Sequence, residues 1–166
     1  MAANSPVDLS KVKTHRANYF AAAPKVVQAM MQLSGFVNGI GLEKPLQELV
    51  KIRSSQINGC AFCLHIHSRA ARALGETEER LHVVAAWRES ALYTARERAA
   101  LAWTECLTRL AEQGAPDDVY HALAAEFTDA EQAELTLLIN TVNAWNRFAV
   151  GFRSVYPSES ADAAAA

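Results

Sequence analysis

The chain has 166 residues, which suits a single domain, and its 51% hydrophobic and 20% charged content argues against a disordered chain. The formal net charge of −2 gives no reason to propose a surface that follows nucleic-acid phosphates. Seven glycines and five prolines are too few for a turn-rich all-β fold.

The N-terminal stretch, residues 1–20, carries Asp8 and three basic side chains with no uninterrupted apolar core, so it does not resemble a secretory signal. No apolar run in the sequence reaches the ~18–20 residues that a membrane-spanning helix needs. We therefore expect a soluble, cytoplasmic protein that binds neither membranes nor nucleic acids.

Apolar residues then recur at a spacing near 3.6, which is typical of α-helices, and no segment shows the alternation of a strand. Capping boxes at Thr94–Glu97 and Thr128–Glu131 predict two helix starts. We predict an all-α fold with a 1–23 N-terminal extension, one helical domain over 24–152 and a flexible 153–166 tail. The predicted helices cover about 24–40, 43–58, 60–74, 77–87, 94–113, a short stretch opening at Pro116, and 128–150.

The cysteine pattern gives the first chemical signal. Three cysteines cannot form a complete set of disulfides. Two of them, Cys60 and Cys63, form a Cys-x-x-Cys pair, which in a reducing compartment is usually metal-binding or redox-active. On a helix, which turns by ~100° per residue, both share a face with His67, whereas His65 projects to the other side.

This stripe of two thiols and one imidazole suits attack on a peroxide or a disulfide, which requires a thiolate. The positive end of the predicted helix favours a thiolate at Cys60, and the imidazole of His67 favours one at Cys63. The residues alone leave the order of the two thiols open. After attack on a peroxide, the sulfenic acid can condense with the second thiol to a disulfide.

Two other interpretations stay open. The same three residues could hold structural zinc, with a fourth ligand from Cys106, His82 or Glu48, although none of these has a recognisable spacing. The cysteines could instead be buried packing residues, because free cysteine is often buried. Glu48, on the preceding predicted helix, is either a solvated glutamate or folds back over the cysteines, where it could orient His67.

Glu48 followed by Cys60-x-x-Cys63-x-x-x-His67 resembles the active-site pattern of the alkyl hydroperoxidase D-like proteins of the carboxymuconolactone decarboxylase superfamily. The flanking residues 49–60, Ala85–Glu89 and Asn143–Arg147 are also similar to that family. The resemblance extends over roughly Pro24 to Phe152.

This resemblance implies a bundle of about six to eight helices that assembles into trimers or hexamers. It implies thiol-dependent reduction of a hydroperoxide. We expect this reaction to need no bound cofactor or metal and to draw electrons from an external dithiol, such as a lipoyl-bearing or thioredoxin-like protein. By the family pattern Cys63 attacks the peroxide, Cys60 resolves the sulfenic acid, and Glu48 and His67 relay protons.

One position departs from the pattern. The best-known peroxidase members have a second histidine directly before the second cysteine, where this chain has Phe62, which implies a shorter proton relay. The superfamily also contains lactone decarboxylases that do not use a cysteine pair, so the intact pair argues against that reaction. The alternative to a peroxidase is a redox sensor or a structural zinc protein.

Overall fold

The computed structural model describes residues 12–156, and in this range the chain folds as a helical bundle with one short strand pair. The all-α fold is therefore confirmed, with nine α-helices and one 3₁₀-helix in the described part of the chain. The α-helices are α1 Tyr19–Ala22, α2 Pro24–Asn38, α3 Lys44–Ile57, α4 Ala61–Ala73, α5 Glu78–Val83, α6 Ala95–Thr108, α7 Leu110–Gln113, α8 Asp117–Glu126 and α9 Asp129–Phe152. The 3₁₀-helix is Val84–Glu89, and the strands are β1 Lys13–Thr14 and β2 Ser154–Val155.

Both predicted capping boxes are present. The Thr94 hydroxyl accepts a hydrogen bond from the Glu97 amide, and the Glu97 carboxylate accepts one from the Thr94 amide at 2.8 Å. Thr128 and Glu131 make the same reciprocal pair at the start of α9. Each box satisfies two amide groups that have no partner inside the helix, which fixes where α6 and α9 begin.

Two of the predicted helices are interrupted. The helix expected over 77–87 continues from α5 into the 3₁₀-helix, with non-helical backbone at Ala86. Here Arg98 donates to the carbonyl groups of Trp87 and Ser90, at 2.9 and 3.0 Å. These bonds from α6 stabilise an irregular backbone that local periodicity does not encode. The helix expected over 94–113 likewise breaks at Arg109, between α6 and α7.

The expectation that no strand is present was wrong at one place. Lys13 pairs with Val155 and Thr14 with Ser154 in an antiparallel ladder, and Arg16 donates to the Gly151 carbonyl at 2.7 Å. Strands of two residues are too short to show an alternating pattern. Residues 1–11 of the expected N-terminal extension and residues 157–166 of the expected flexible tail lie outside the described residues, and the domain limits remain a prediction.

The helix α3 lies at the centre of the bundle and packs against α4, α6 and α9. Nine of its fourteen residues are buried, and several of these are polar or charged rather than apolar. Buried polar groups need partners. The buried polar side chains of α3 and the groups that they contact are therefore candidates for a functional site. None of the helices within residues 12–156 has both the length and the apolar character needed to cross a membrane.

Candidate active site

The turn that joins α3 to α4 positions the cysteine pair. Gly59 has a positive φ of 64° and donates from its amide to the Gln56 carbonyl at 3.2 Å, while the Cys60 amide donates to the Ser55 carbonyl at 2.9 Å. These two bonds form a Schellman motif, in which glycine takes the left-handed conformation without a steric penalty. Cys60 therefore lies at the N-cap of α4, within one residue of the predicted helix start.

The two cysteines are joined in a disulfide, with their Cα atoms 5.3 Å apart. The Sγ atom of Cys60 also accepts a hydrogen bond from the Cys63 amide at 3.3 Å. Cys60 is 1% exposed and Cys63 is 5% exposed, and the pair packs against Ala149 of α9 and Phe62. The structure thus brings together the two sulfurs that the sequence placed on one face.

Glu48 and His67 meet across the α3–α4 hairpin. Oε2 of Glu48 lies 2.9 Å from Nδ1 of His67, although the residues are nineteen positions apart. Burial raises the pKa of Glu48, but hydrogen bonds and charge from His67 and Lys51 outweigh burial and hold its pKa below the ordinary value. An ionised carboxylate can only accept, so Nδ1 carries the proton. In the neutral ring, Nε2 is then the free base.

His67 follows Cys63 by one turn of α4, so their side chains project from the same face. Within residues 12–156, its ring makes no hydrogen bond to either sulfur, and its partner is Glu48. His65 points elsewhere and stacks at a tilt on Tyr156, with ring centroids 4.5 Å apart. The separation of the two histidines agrees with the expectation from helical geometry.

Two of the candidates for a fourth zinc ligand lie on helices other than α4. Cys106 is buried in α6, where burial raises its thiol pKa, and His82 is exposed on α5. In the part of the chain that the structure describes, no three His, Cys, Asp or Glu side chains gather in a group that could hold a metal ion.

Sequence reasoning missed Lys51. Its Nζ lies 2.8 Å from Oε1 of Glu48 and 3.3 Å from Oδ1 of Asn38, at the end of α2. The signal was the i,i+3 spacing from Glu48, which places oppositely charged side chains on one helix face. A pocket of about 250 Å³ opens beside this ion pair. Its walls include Asn38, Lys44, Gln47, Glu48, Lys51 and Leu74.

A set of buried amides was also missed. The side-chain Nδ2 of Asn58 donates to Oδ1 of both Asn143 and Asn146, each at 2.8 Å. The Nδ2 of Asn146 donates in turn to the Ser55 hydroxyl at 3.1 Å. These bonds fasten the α3–α4 turn to α9 and so fix the cysteine pair against that helix. Asparagines that recur within a mostly apolar helix were the available signal, because buried amides need partners.

The helical fold is that of a known family. The model of the carboxymuconolactone decarboxylase family matches residues 24–105, and the fold is that of its alkyl hydroperoxidase D-like members. The chain belongs to the carboxymuconolactone decarboxylase family.

Among its relatives is the uncharacterized protein YdfG of Bacillus subtilis, 36% identical over 82% of this chain and 93% of YdfG. A crystal structure from Agrobacterium tumefaciens, of a protein of unknown function described as a candidate antioxidant defence protein AhpD, is 46% identical. It covers 89% of this chain and all of its own, with a TM-score of 0.85.

The debrominase Bmp8 shares the fold at a TM-score of 0.75 with 19% identity, over 83% of this chain and 74% of its own. At that identity the likeness concerns the fold alone. Since one fold can support different reactions, the chemistry of this chain has to be argued from its side chains.

Proposed function

We propose that this protein is a thiol-dependent peroxidase that reduces a hydroperoxide through a Cys60/Cys63 disulfide cycle. The observation that carries the proposal is the cysteine pair at the start of α4, one turn before a histidine that is hydrogen-bonded to a buried carboxylate. The family assignment and the likeness to a candidate antioxidant protein support the same class of reaction.

The cycle has three steps, and atoms and electrons balance in each. In the reduced protein, Nε2 of His67 takes the Cys63 proton, and the thiolate attacks the distal peroxide oxygen of ROOH. The O–O bond breaks, and the leaving alkoxide receives the proton from His67, which gives ROH and a sulfenic acid at Cys63. Cys60 then attacks this sulfur and water leaves. An external dithiol reduces the resulting disulfide to two thiols and becomes a disulfide itself.

The two cysteines are activated by different groups. Cys63 is followed one turn later by His67, which Glu48 holds in the tautomer with a basic Nε2. Cys60 lies at the N-cap, where the Cys63 amide and the positive end of α4 favour a thiolate. The nearby histidine base supports Cys63 as the attacking thiol, with Cys60 as the resolving thiol, as the family pattern implies.

The cycle also needs a reducing partner. The reductant would be a lipoyl-bearing or thioredoxin-like protein in the cytoplasm, since the cycle needs two electrons from a dithiol at each turn. Neither a metal nor a bound cofactor takes part in these steps.

Replacing the attacking thiol tests this function. We expect Cys63→Ser to reduce peroxide consumption with a dithiol to the uncatalysed rate, because no thiolate remains to attack the O–O bond. Cys106→Ser is the matched control, since it removes the third, buried thiol, and it should keep wild-type activity. Peroxide consumption should be followed with hydrogen peroxide and with an organic hydroperoxide, and full activity in Cys63→Ser would refute the proposal.

A redox sensor is the second candidate, because the burial of Cys60 and Cys63 limits the access of an external protein dithiol to their disulfide. A sensor would form the disulfide once per chain, with thiols falling from three to one, but would not turn over with a dithiol.

Metal analysis of the purified protein tests the structural-zinc alternative. About one zinc per chain, with thermal stability lost on chelation, would support that alternative instead.

A further inference from the structure

Lys51 lies beside the Glu48–His67 pair but has no part in the cycle described so far. Its side chain is 11% exposed, and its ammonium group bonds to Oε1 of Glu48 at 2.8 Å. A second bond, 3.3 Å long, goes to the side-chain oxygen of Asn38 on α2. Lys51 is therefore held by two different helices, and its position is set independently of His67.

The two oxygens of the Glu48 carboxylate have different partners. Oε1 receives the Lys51 ammonium, and Oε2 receives the imidazole Nδ1–H at 2.9 Å. With one oxygen fixed on each side, the carboxylate plane cannot rotate without breaking a charge-assisted hydrogen bond. The orientation of the His67 ring thus depends on the group that is bound to Oε1 of Glu48.

We infer that Lys51 is a positioning residue, which holds Oε1 of Glu48 so that Oε2 keeps His67 in the Nδ1–H tautomer. The free Nε2 is then available for the thiol proton. This inference rests on the proposed function for its effect on turnover, but the tautomer can be measured without any turnover.

The same pocket contains a second lysine, which allows a positioning effect of Lys51 to be distinguished from a general effect of positive charge. Lys44 also lines this pocket, but its ammonium donates to the backbone carbonyl of Asn38 and not to the carboxylate. The charged groups that act on Glu48 are Lys51 on its own helix and His67 on α4. Removing the Lys44 charge should therefore leave the carboxylate and the ring in place.

The substitution Lys51→Met removes the ammonium while keeping a side chain of similar length that favours a helix. We expect kcat for peroxide reduction to fall about tenfold with KM unchanged, a part of the ~10²–10⁴-fold that acid–base catalysis contributes. Lys51→Arg should recover most of kcat, because guanidinium can donate to the same oxygen. Lys44→Met should behave as wild type.

The ring nitrogen chemical shifts of His67, measured by ¹⁵N NMR in the reduced protein, report the tautomer directly. We expect one tautomer in the wild type, Lys51→Arg and Lys44→Met proteins, and a mixture of both in Lys51→Met. Thermal unfolding verifies that each variant is folded, and Lys51→Leu, which also lacks a donor, replaces Lys51→Met if the methionine variant fails to fold.

An unchanged tautomer in the folded Lys51→Met or Lys51→Leu protein would overturn the inference. The same holds if Lys44→Met mixes the tautomers as strongly as Lys51→Met, because the effect would then be one of general charge. If Lys51→Met mixes the tautomers but even the wild type consumes no peroxide, the positioning role stands and the proposed peroxidase function fails.

Discussion

Glu105 shows how a single buried charge supports the site from a distance. Its carboxylate accepts hydrogen bonds from Arg53 at 2.7 Å, from the Trp87 indole at 3.0 Å and from Arg88. Burial raises the pKa of Glu105, but its three donors, of which Arg88 contributes most, outweigh burial and lower the pKa. Because Arg53 belongs to α3, this ion pair joins the helix that carries Glu48 to α6.

We predict that Glu105→Gln lowers the free energy of unfolding by about 3 kcal/mol at pH 7, because it leaves the buried Arg53 cation without its counter-charge. A carboxyl group whose pKa is lower in the folded than in the unfolded protein stabilises the fold above its unfolded pKa. That contribution is lost as pH falls toward the folded pKa. The difference between the variant and the wild type should therefore shrink between pH 7 and pH 4.

Urea unfolding at the two pH values measures this difference. Glu112→Gln is the control, since Glu112 is exposed on α7, and it should change stability by less than about 0.5 kcal/mol. A Glu105→Gln protein as stable as the control variant, or a difference that grows on acidification, would contradict the prediction.

Among the elements, the α3–α4 turn depends most on a single backbone conformation. Gly59 has a positive φ of 64°, and a Cβ built on it would meet no atom within 4 Å. The cost of Gly59→Ala is therefore conformational, about 1–2 kcal/mol for an L-residue in the left-handed region. We expect this loss in urea unfolding, together with slower peroxide reduction, because the turn sets the position of Cys60.

Gly35 provides the matched control for this turn. It lies inside α2, and a Cβ at this position would likewise meet no atom within 4 Å, but its φ is not positive. Gly35→Ala should therefore stabilise the protein by about 0.5–1 kcal/mol. If both variants changed stability in the same direction, the left-handed conformation of Gly59 would not be the cause.

The elements also show what the sequence could predict. Helix starts at Thr94 and Thr128 follow from four-residue signals, because capping is local. The cysteine face follows from helical rotation within α4. The Glu48–His67 bond, the β1–β2 pair and the break at Ala86 depend on contacts between segments distant in sequence. The residues alone left the position of Glu48 open, and only the family resemblance assigned it to the site.

At the scale of the whole molecule, α2 is a helix whose surface is covered very little by the rest of the described chain. Val37 is its only buried residue, and Lys25 its only charged one. Its exposed side chains include Met31 and Phe36, the latter 67% exposed. Large exposed apolar side chains on a helix with so little charge suit contact with another protein.

We propose that this helix contributes to the homo-oligomer, a trimer or hexamer, that the family resemblance implies. The double substitution Met31→Lys with Phe36→Lys should convert the assembly to smaller species without unfolding the chain, because both side chains are exposed. The control, Leu92→Lys with Leu110→Lys, adds the same charge at exposed apolar positions outside α2. Light scattering coupled to size-exclusion chromatography measures the mass of each protein. A monomeric wild type would rule out the oligomer, and equal dissociation of both variants would show that added charge, rather than α2, is responsible.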